Sequence, residues 1–404
     1  MVVALRSLLL LCVALALPSA ARAQADPAAP PPWHVAVIAS ATGGGELGQR
    51  HAFAAERAAA ALSAAGIYGQ PVRVDVHDDR GDPRRAEALA REALDGGALA
   101  LVCCTSVAAT DRVAAVAEST GAVLLTLDGA RPTEAAWVLQ LASTPRAQMT
   151  AIAVHAAEEG KAGLGLMTLD NAFGDEAEAA FERALADTAR TGVGVARYAP
   201  TASVLTPEAL WLATREPGSV IVWGLPGDTV VAVDALRRRG YLGPVYVRPA
   251  SLPGGSWARA APHDLAAAPV VPSRSDPWLS TRLAAPPAAL MNSLPPDHPN
   301  AVAVDAFAAR VVGAGASGRA ASDLVDMAVV DDALQLVRLA FESVAELGLP
   351  AQVPLVTRRL ALRDALLSAP PRPLAAGTYA PRAGDTRAAT WQGLVVVTIG
   401  PPGR

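Results

Sequence analysis

From Val74 to Leu94 the chain reads VDVHDDRGDPRRAEALAREAL, an alternating strand that runs through an acidic turn into a helix. Val74 and Val76 alternate with Asp75 and His77, as one half-buried strand requires. Asp82 is placed to cap the free amides of a helix whose first residue, Pro83, has no amide hydrogen to lose. Ala86, Leu89, Ala90, Ala93 and Leu94 then share a helical face, the stripe that packs on a sheet.

The same pattern recurs. Strands are predicted over 34–40, 72–78, 99–105 and 122–128, with helices over Ala52–Ala65, Pro83–Leu94 and Val107–Thr120. A second series has strands over 163–169, 193–199, 219–225 and 244–249, and helices over Asp175–Arg190, Pro207–Arg215 and Thr229–Arg239. Nearly continuous apolar strands separated by amphipathic helices argue for parallel sheets covered on both faces. Two Rossmann-like sheets in tandem are the economical reading, an α/β fold. Residues 251–300 are rich in Pro, Ser and Gly and read as an irregular crossing with short elements. Beyond them Ala301–Val312, Asp323–Leu347 and Leu355–Leu367 read as helices, and 393–399 as a closing strand.

The first 23 residues read as an export signal and are set aside from the fold. Arg6 supplies the positive region, Leu8–Leu17 a short apolar core and Ala21-Arg22-Ala23 a small-x-small cleavage site, which makes Gln24 the mature N-terminus. That core is too short to span a bilayer stably. Cys12 lies inside it, without the small residues that precede a lipidated cysteine. Residues 24–32 form a proline-rich leader with no packing pattern. An exported, soluble chain of this kind points to a Gram-negative periplasm.

Losing Arg6 and Arg22 takes the formal charge from −4 to −6, so the chain has no electrostatic footprint for nucleic acid. With aromatics at only 4% of 404 residues, the interior has to be built from Ala, Val and Leu. Cys103 and Cys104 alone survive processing. Consecutive α-carbons lie ~3.8 Å apart, below the usual disulfide range, so a bond between them would be strained, and the favoured reading is two small buried residues at a strand end.

Catalytic chemistry finds little support. Gly43, Gly45 and Gly48 spell G-x-G-x-x-G after a strand, with Asp75 and Asp78 further on. The first glycine nevertheless comes several residues beyond the strand, and no twin-arginine signal is present to export a prefolded cofactor enzyme. These glycines are read instead as letting a cleft-lining loop approach a solute closely. The six histidines are scattered without metal spacing, and Ser256 in GGSWA lacks the second glycine of a nucleophile elbow. The adjacent pairs Asp78–Asp79 and Asp331–Asp332 point apart and read as solvated. No cofactor, metal or enzymatic activity is expected.

Seven segments in order carry a resemblance: ATGGGELGQ (41–49), AAGIYGQPVRVDVHDDRGDP (64–83), AAVAESTGAVLL (114–125), LDNAFGDE (169–176), VWGLPGDTVVAVDALRRRGYLG (222–243), DHPNAVAVDAF (297–307) and GTYAPRAGDT (377–386). Over roughly residues 33–400 the chain resembles a type I periplasmic binding protein of the branched-chain amino acid (Leu/Ile/Val) receptor class that feeds ABC transporters. The resemblance implies two Rossmann-like lobes joined by a three-segment hinge, with the first lobe at 33–142 plus 251–385 and the second at 143–250 plus 386–404. It implies a monomer that traps a small solute between its lobes and delivers it to an inner-membrane ABC permease. In open parallel sheets the strand carboxyl ends and helix amino ends face one crevice, which favours an anionic group there.

By the same resemblance, Thr105 and Ser106 stand where hydroxyls and backbone amides meet the ligand carboxylate. Each is also a fitting helix N-cap. Phe173 matches a position usually filled by Tyr that lies over the ligand, and reads equally as a core aromatic. Asp228 falls where an acidic residue receives the ligand ammonium, and also reads as the N-cap of the helix from Thr229. Thr126 ends the fourth strand and either faces the cleft or satisfies a turn. Two departures widen the solute class: Ala130 replaces a carboxylate-binding threonine, and Cys103-Cys104 replaces the usual Gly-Pro. An amide, an aromatic or aliphatic acid, or an alcohol-oxidation metabolite then joins amino acids among the solutes. A ligand-sensing module of the same fold and an exported dinucleotide enzyme are the alternative readings.

Overall fold

The computed structural model describes residues 31–127, 135–200, 202–249, 260–262, 281–291, 293–313, 321–349, 353–385 and 387–399. The export signal, Ala130 and Ser256 lie outside them. Strands β1 (Trp33–Ala39), β2 (Val72–Asp78), β3 (Ala100–Cys103), β4 (Val123–Thr126) and β5 (Val138–Gln140) form a sheet ordered β2-β1-β3-β4-β5, with every pair parallel. Helices α1 (Gly45–Ala65), α2 (Pro83–Asp95) and α3 (Val107–Thr120) make the crossovers. The two-residue period of β1 decides which helix covers which face. Val35 and Val37 pack with Ala54, Ala58 and Leu62 of α1, while Ala36 and Ile38 pack with Ala86, Ala90, Val113 and Val116 of α2 and α3.

The chain continues through α4 (Pro145–Glu158), β6 (Leu164–Leu169), α5 (Ala172–Asp187), β7 (Gly192–Tyr198), α6 (Thr206–Ala213), β8 (Ser219–Trp223), α7 (Pro226–Arg238), β9 (Val245–Val247), β10 (Ala260–Pro262) and β11 (Thr281–Ala285). It then forms α8 (Ala301–Phe307), α9 (Ala321–Glu346), α10 (Leu355–Ser368), the short strands β12 (Arg372–Pro373), β13 (Thr378–Tyr379) and β14 (Ala389–Thr390), and β15 (Val395–Ile399). The second sheet is ordered β10-β15-β11-β9-β8-β6-β7, parallel except where β15 runs against β10 and β11. Helices α9 and α10 return to the first sheet, where Met327, Val330, Leu334 and Leu362 join its core and the Phe341 ring stacks 5.0 Å from that of Trp33.

Three connections pass between the sheets: β5 to α4, β11 to the turn at Pro287–Leu290, and β14 to β15. Two of them are tied together, since the Ala388 amide donates to the Gln140 carbonyl at 2.8 Å. Among the described residues, no helix is long and apolar enough to cross a membrane.

The caps fall where the sequence places them. Asp82 accepts from the Arg84 amide with Pro83 in the first turn, and Ser106 accepts from the Ala109 amide. Other elements differ from expectation. Helix α4 shows no single apolar stripe because it is buried nearly all round, through Met149, Thr150, Ala151, Ile152, Ala153 and Ala156, so the one-faced pattern of a surface helix is missing. The stretch from 251, expected to rejoin the first lobe, supplies β10 and β11 to the second sheet, and the return comes only after Ala285. The segment TRLAA is wholly buried, but its polar Thr281 and Arg282 and the prolines around it hide the strand signal. Helix α7 starts at Pro226 behind Leu225, which places Asp228 inside its first turn and not at the cap.

Candidate ligand-binding cleft

A cavity of about 540 Å³ opens between the two sheets and is lined from both of them. On the first side its wall comes from Leu47 and His51 of α1, Cys104 and Thr105 just beyond β3, and Asp326 and Val329 of α9. On the second it comes from Phe173 and Glu176 of α5, Trp223 at the end of β8 and Arg248 just beyond β9. Strand carboxyl ends from both parallel sheets thus meet at one crevice.

Local chemistry fixes each wall. The Thr105 hydroxyl accepts from the Ser40 amide at 3.4 Å, tying the β3–α3 turn to the end of β1. Asn171 caps α5 by accepting from the Phe173 and Gly174 amides at 3.0 and 3.2 Å. Gly174 is obligatory, because a Cβ there would sit 1.7 Å from the Leu169 carbonyl oxygen. The first turn of α5 is thereby pressed onto β6, and Phe173 is held in the cleft. The Thr168 hydroxyl donates to the Trp223 carbonyl at 2.9 Å, fixing the end of β8.

The charged groups of the first wall are engaged within the protein. The Arg50 guanidinium lies 2.9 Å from Asp326 and 3.2 Å from Asp323. Burial raises the Asp326 pKa, and Arg50 opposes that rise. His51 is 3% exposed and its Nδ1 has no hydrogen-bond partner among the described residues. Burial pushes its imidazole down to about 4, so the ring is neutral at neutral pH. Behind this wall Asp332 accepts from the Ala375 and Ala376 amides at 2.9 and 2.7 Å, fixing the loop that carries Ala376 and Tyr379 into the cavity wall. Burial, then the neighbouring Asp331, push its carboxyl up to about 8. Asp331 is itself fully buried and ion-paired with Arg310 at 2.6 Å. The pair Asp331–Asp332 points apart as expected, but it is buried and not solvated: the Asp331 carboxylate has a guanidinium, and the Asp332 carboxyl has two backbone amides and the Tyr379 hydroxyl.

The second wall is built differently. The Arg248 guanidinium lies 5.3 Å from the Phe173 ring centroid, within cation–π range. No carboxylate of the described residues is within ion-pair distance of it. Burial lowers its pKa, and the more distant Glu176 charge opposes the shift.

Of the residues singled out in the sequence, the cavity wall brings together Thr105 and Phe173. Ser106 is exposed and caps α3, Thr126 is buried at the end of β4, and Asp228 is half-buried in the first turn of α7; none of the three is in the wall. Two glycines of G-x-G-x-x-G are required by close approach of backbone within the protein. A Cβ on Gly43 would meet the Arg80 carbonyl oxygen at 2.2 Å and one on Gly48 the Ser40 carbonyl oxygen at 2.1 Å, so they seat α1 against its neighbours while Leu47 and His51 reach the cavity. Cys103 and Cys104 are joined by a disulfide across a cis peptide, with Cys104 in the wall. The sequence expectation used the trans spacing, and the α-carbons are 3.2 Å apart here. Sequence reasoning passed over Arg248, His51, Trp223 and Asp326. Arg248 carried a readable signal, as a charged residue closing the apolar parallel strand VYV.

Among known structures, a putative branched-chain amino acid ABC transporter protein from Rhodospirillum rubrum is 19% identical with a TM-score of 0.70, over 91% of this chain and 98% of that one. A leucine-binding protein from Thermotoga maritima is 16% identical with a TM-score of 0.56, over 92% and 96%. An extracellular ligand-binding receptor from Rhodopseudomonas palustris HaA2 is 18% identical with a TM-score of 0.60, over 92% and 98%. At these identities the likeness is one of fold. No curated protein sequence matches the chain. The family described as periplasmic binding protein matches residues 32–337, and by that match, which covers the first sheet and every strand of the second but β15, the chain belongs to the periplasmic binding protein family.

Proposed function

We propose that this protein is the exported solute-binding component of an ABC importer, which captures a small polar solute between its lobes and hands it unaltered to an inner-membrane permease. The observation that carries the reading is a cavity walled by Thr105 from one sheet and Phe173 and Arg248 from the other. A site divided in this way is completed by closing the lobes about the three connections, a hinge motion that requires no bond chemistry. The solute class is an amino acid or a related organic acid or amide. The same reading makes the chain a periplasmic monomer without enzymatic activity or cofactor.

A thermal-shift screen with amino acids, amides and small organic acids tests it. A ligand at a hundred times its dissociation constant stabilises the folded chain by ~2.7 kcal/mol. The shift is expected to disappear in Phe173→Ala, and mass spectrometry is expected to recover the ligand unchanged. Recovery of a converted product would overturn the proposal.

A further inference from the structure

Taking the cleft as the solute site, we propose that the solute is a small organic carboxylate with an apolar body, that Arg248 binds its anionic group, and that an ammonium group plays no part in recognition. The argument starts from the charges that face the cavity. Arg248 stands half-buried in the cavity wall just beyond β9, and no carboxylate of the described residues lies within ion-pair distance of it, so an anion entering the cavity meets a partly desolvated cation with no competing partner among them. Its Cζ lies over the Phe173 ring, 5.3 Å from the centroid, and the N–H edge of the guanidinium is the part an anionic partner engages. Carboxylate is the partner whose planar, two-oxygen geometry matches that edge.

The acidic groups offer no matching site for an ammonium. Asp326 is engaged by Arg50 at 2.9 Å, and Glu176, which also lines the cavity, is solvent-exposed, where an ammonium keeps its water and gains little from the pair. Asp228, the residue that would serve an ammonium by resemblance, is not in the wall. The remaining polar atoms facing the cavity are neutral. His51 is buried with an unpartnered Nδ1, and Gln148, which donates to Ser143 at 2.9 Å, keeps an unpartnered Oε1. Trp223, Leu127 and Val329 make apolar wall, and about 540 Å³ is room for a branched or ring-bearing body.

The test uses the mature protein and two matched series. One is 4-methylpentanoate, 4-methylpentanamide and leucine; the other is 3-phenylpropanoate, 3-phenylpropanamide and phenylalanine. Calorimetric titration is expected to show the carboxylate of at least one series binding at least tenfold tighter than its amide and no weaker than its amino acid. Arg248→Gln is expected to weaken that carboxylate by about thirtyfold or more, the effect of truncating one partner of a buried charge pair. Arg248→Lys is expected to recover part of the loss, and circular dichroism of both variants checks that they are folded. Preference for an amide or an amino acid, with binding still lost in Phe173→Ala, overturns the carboxylate assignment and leaves the cleft reading in place. Unchanged carboxylate affinity in folded Arg248→Gln also overturns it. Silence from all six compounds overturns the assignment, and the broader solute screen then decides the cleft reading separately.

Discussion

The two walls of the cleft handle charge in opposite ways. On the first, Arg50 lies between Asp323 and Asp326, Asp331 is paired with Arg310, and Asp332 holds two backbone amides, while Arg359 donates to the Leu94 and Ala98 carbonyls behind the same sheet. On the second, Arg248 has an aromatic ring beside it and no carboxylate of the described residues in ion-pair range. Internally matched charges hold a wall together and leave little for a ligand to read. An unmatched charge does the reverse, adding little to the stability of the free protein and much to the affinity for an anion.

The most severe break of this contrast removes a matched partner from the first wall. Arg310→Met strands the fully buried Asp331 carboxylate, and the expected loss is ~3–5 kcal/mol in urea unfolding. Adding Asp331→Leu to the same chain is expected to restore most of it, because no buried charge is then left. Arg248→Gln, by contrast, is expected to leave the unfolding midpoint of the ligand-free protein unchanged or slightly higher. A large loss of stability in Arg248→Gln, or none in Arg310→Met, would reverse the roles of the two walls.

Proton linkage sharpens the comparison, since two groups on the first wall's side titrate with opposite signs. His51 has its folded pKa lowered from 6.5 to about 4. The unfolded chain therefore binds more protons in that window, and the stability from His51 is present above pH 6.5 and lost as pH falls through 4, ~3 kcal/mol in all. Asp332 is raised from 3.8 to about 8, so there the folded chain binds more protons. Its contribution is present below pH 4 and lost as pH rises through 8. Urea midpoints between pH 4 and pH 8 are expected to lose their acid-side fall in His51→Gln and their alkaline-side fall in Asp332→Asn. Curves of identical shape in wild type and both variants would refute the linkage.

A smaller effect separates two neighbours at the start of α3. Ser106→Ala is expected to cost ~1 kcal/mol through loss of the cap on the Ala109 amide, with solute affinity unchanged. Thr105→Val, one residue nearer the cavity, is expected to lower affinity by more than it lowers stability. Unfolding curves and titrations of the same two variants check both statements. Equal effects on affinity would put both hydroxyls on the solute.

How much of this was legible in the sequence depended on whether a segment speaks through its own period. The βα units did, because β1 is an apolar run, β2 alternates, α2 carries a one-faced stripe at helical spacing, and Asp82-Pro83 marks a helix start by local chemistry alone. Helix α4 and strand β11 did not: one is buried on nearly every side, and the other carries Thr281 and Arg282 into the interior, so their character is set by partners distant in the chain. The cleft divides along the same line. Thr105 and Phe173 stand just past recognisable strand ends, where the topology of a parallel sheet says a site belongs. His51 reaches the cavity from the second turn of α1, where it reads as an ordinary polar position on an alanine-rich helix. Arg248 was visible as a charge ending an apolar strand, but the lack of a counter-ion for it among the described residues is a property of three dimensions.

Asp228 gives the smallest and most discriminating comparison, because resemblance and geometry assign it different work. It lies in the first turn of α7, which begins at Pro226 behind Leu225. A negative charge there favours the helix dipole by ~0.3–1 kcal/mol at low ionic strength. Asp228→Asn is therefore expected to lower stability within that range, with the loss shrinking as salt screens the charge. Solute affinity is expected to stay within about twofold, since Asp228 is not part of the cavity wall and makes no direct contact with a solute held there. Titration of Asp228→Asn beside Arg248→Gln sets the two assignments against each other with one ligand. If Asp228→Asn loses binding and Arg248→Gln keeps it, the solute is read through an ammonium, and the open charge of the second wall has some other use.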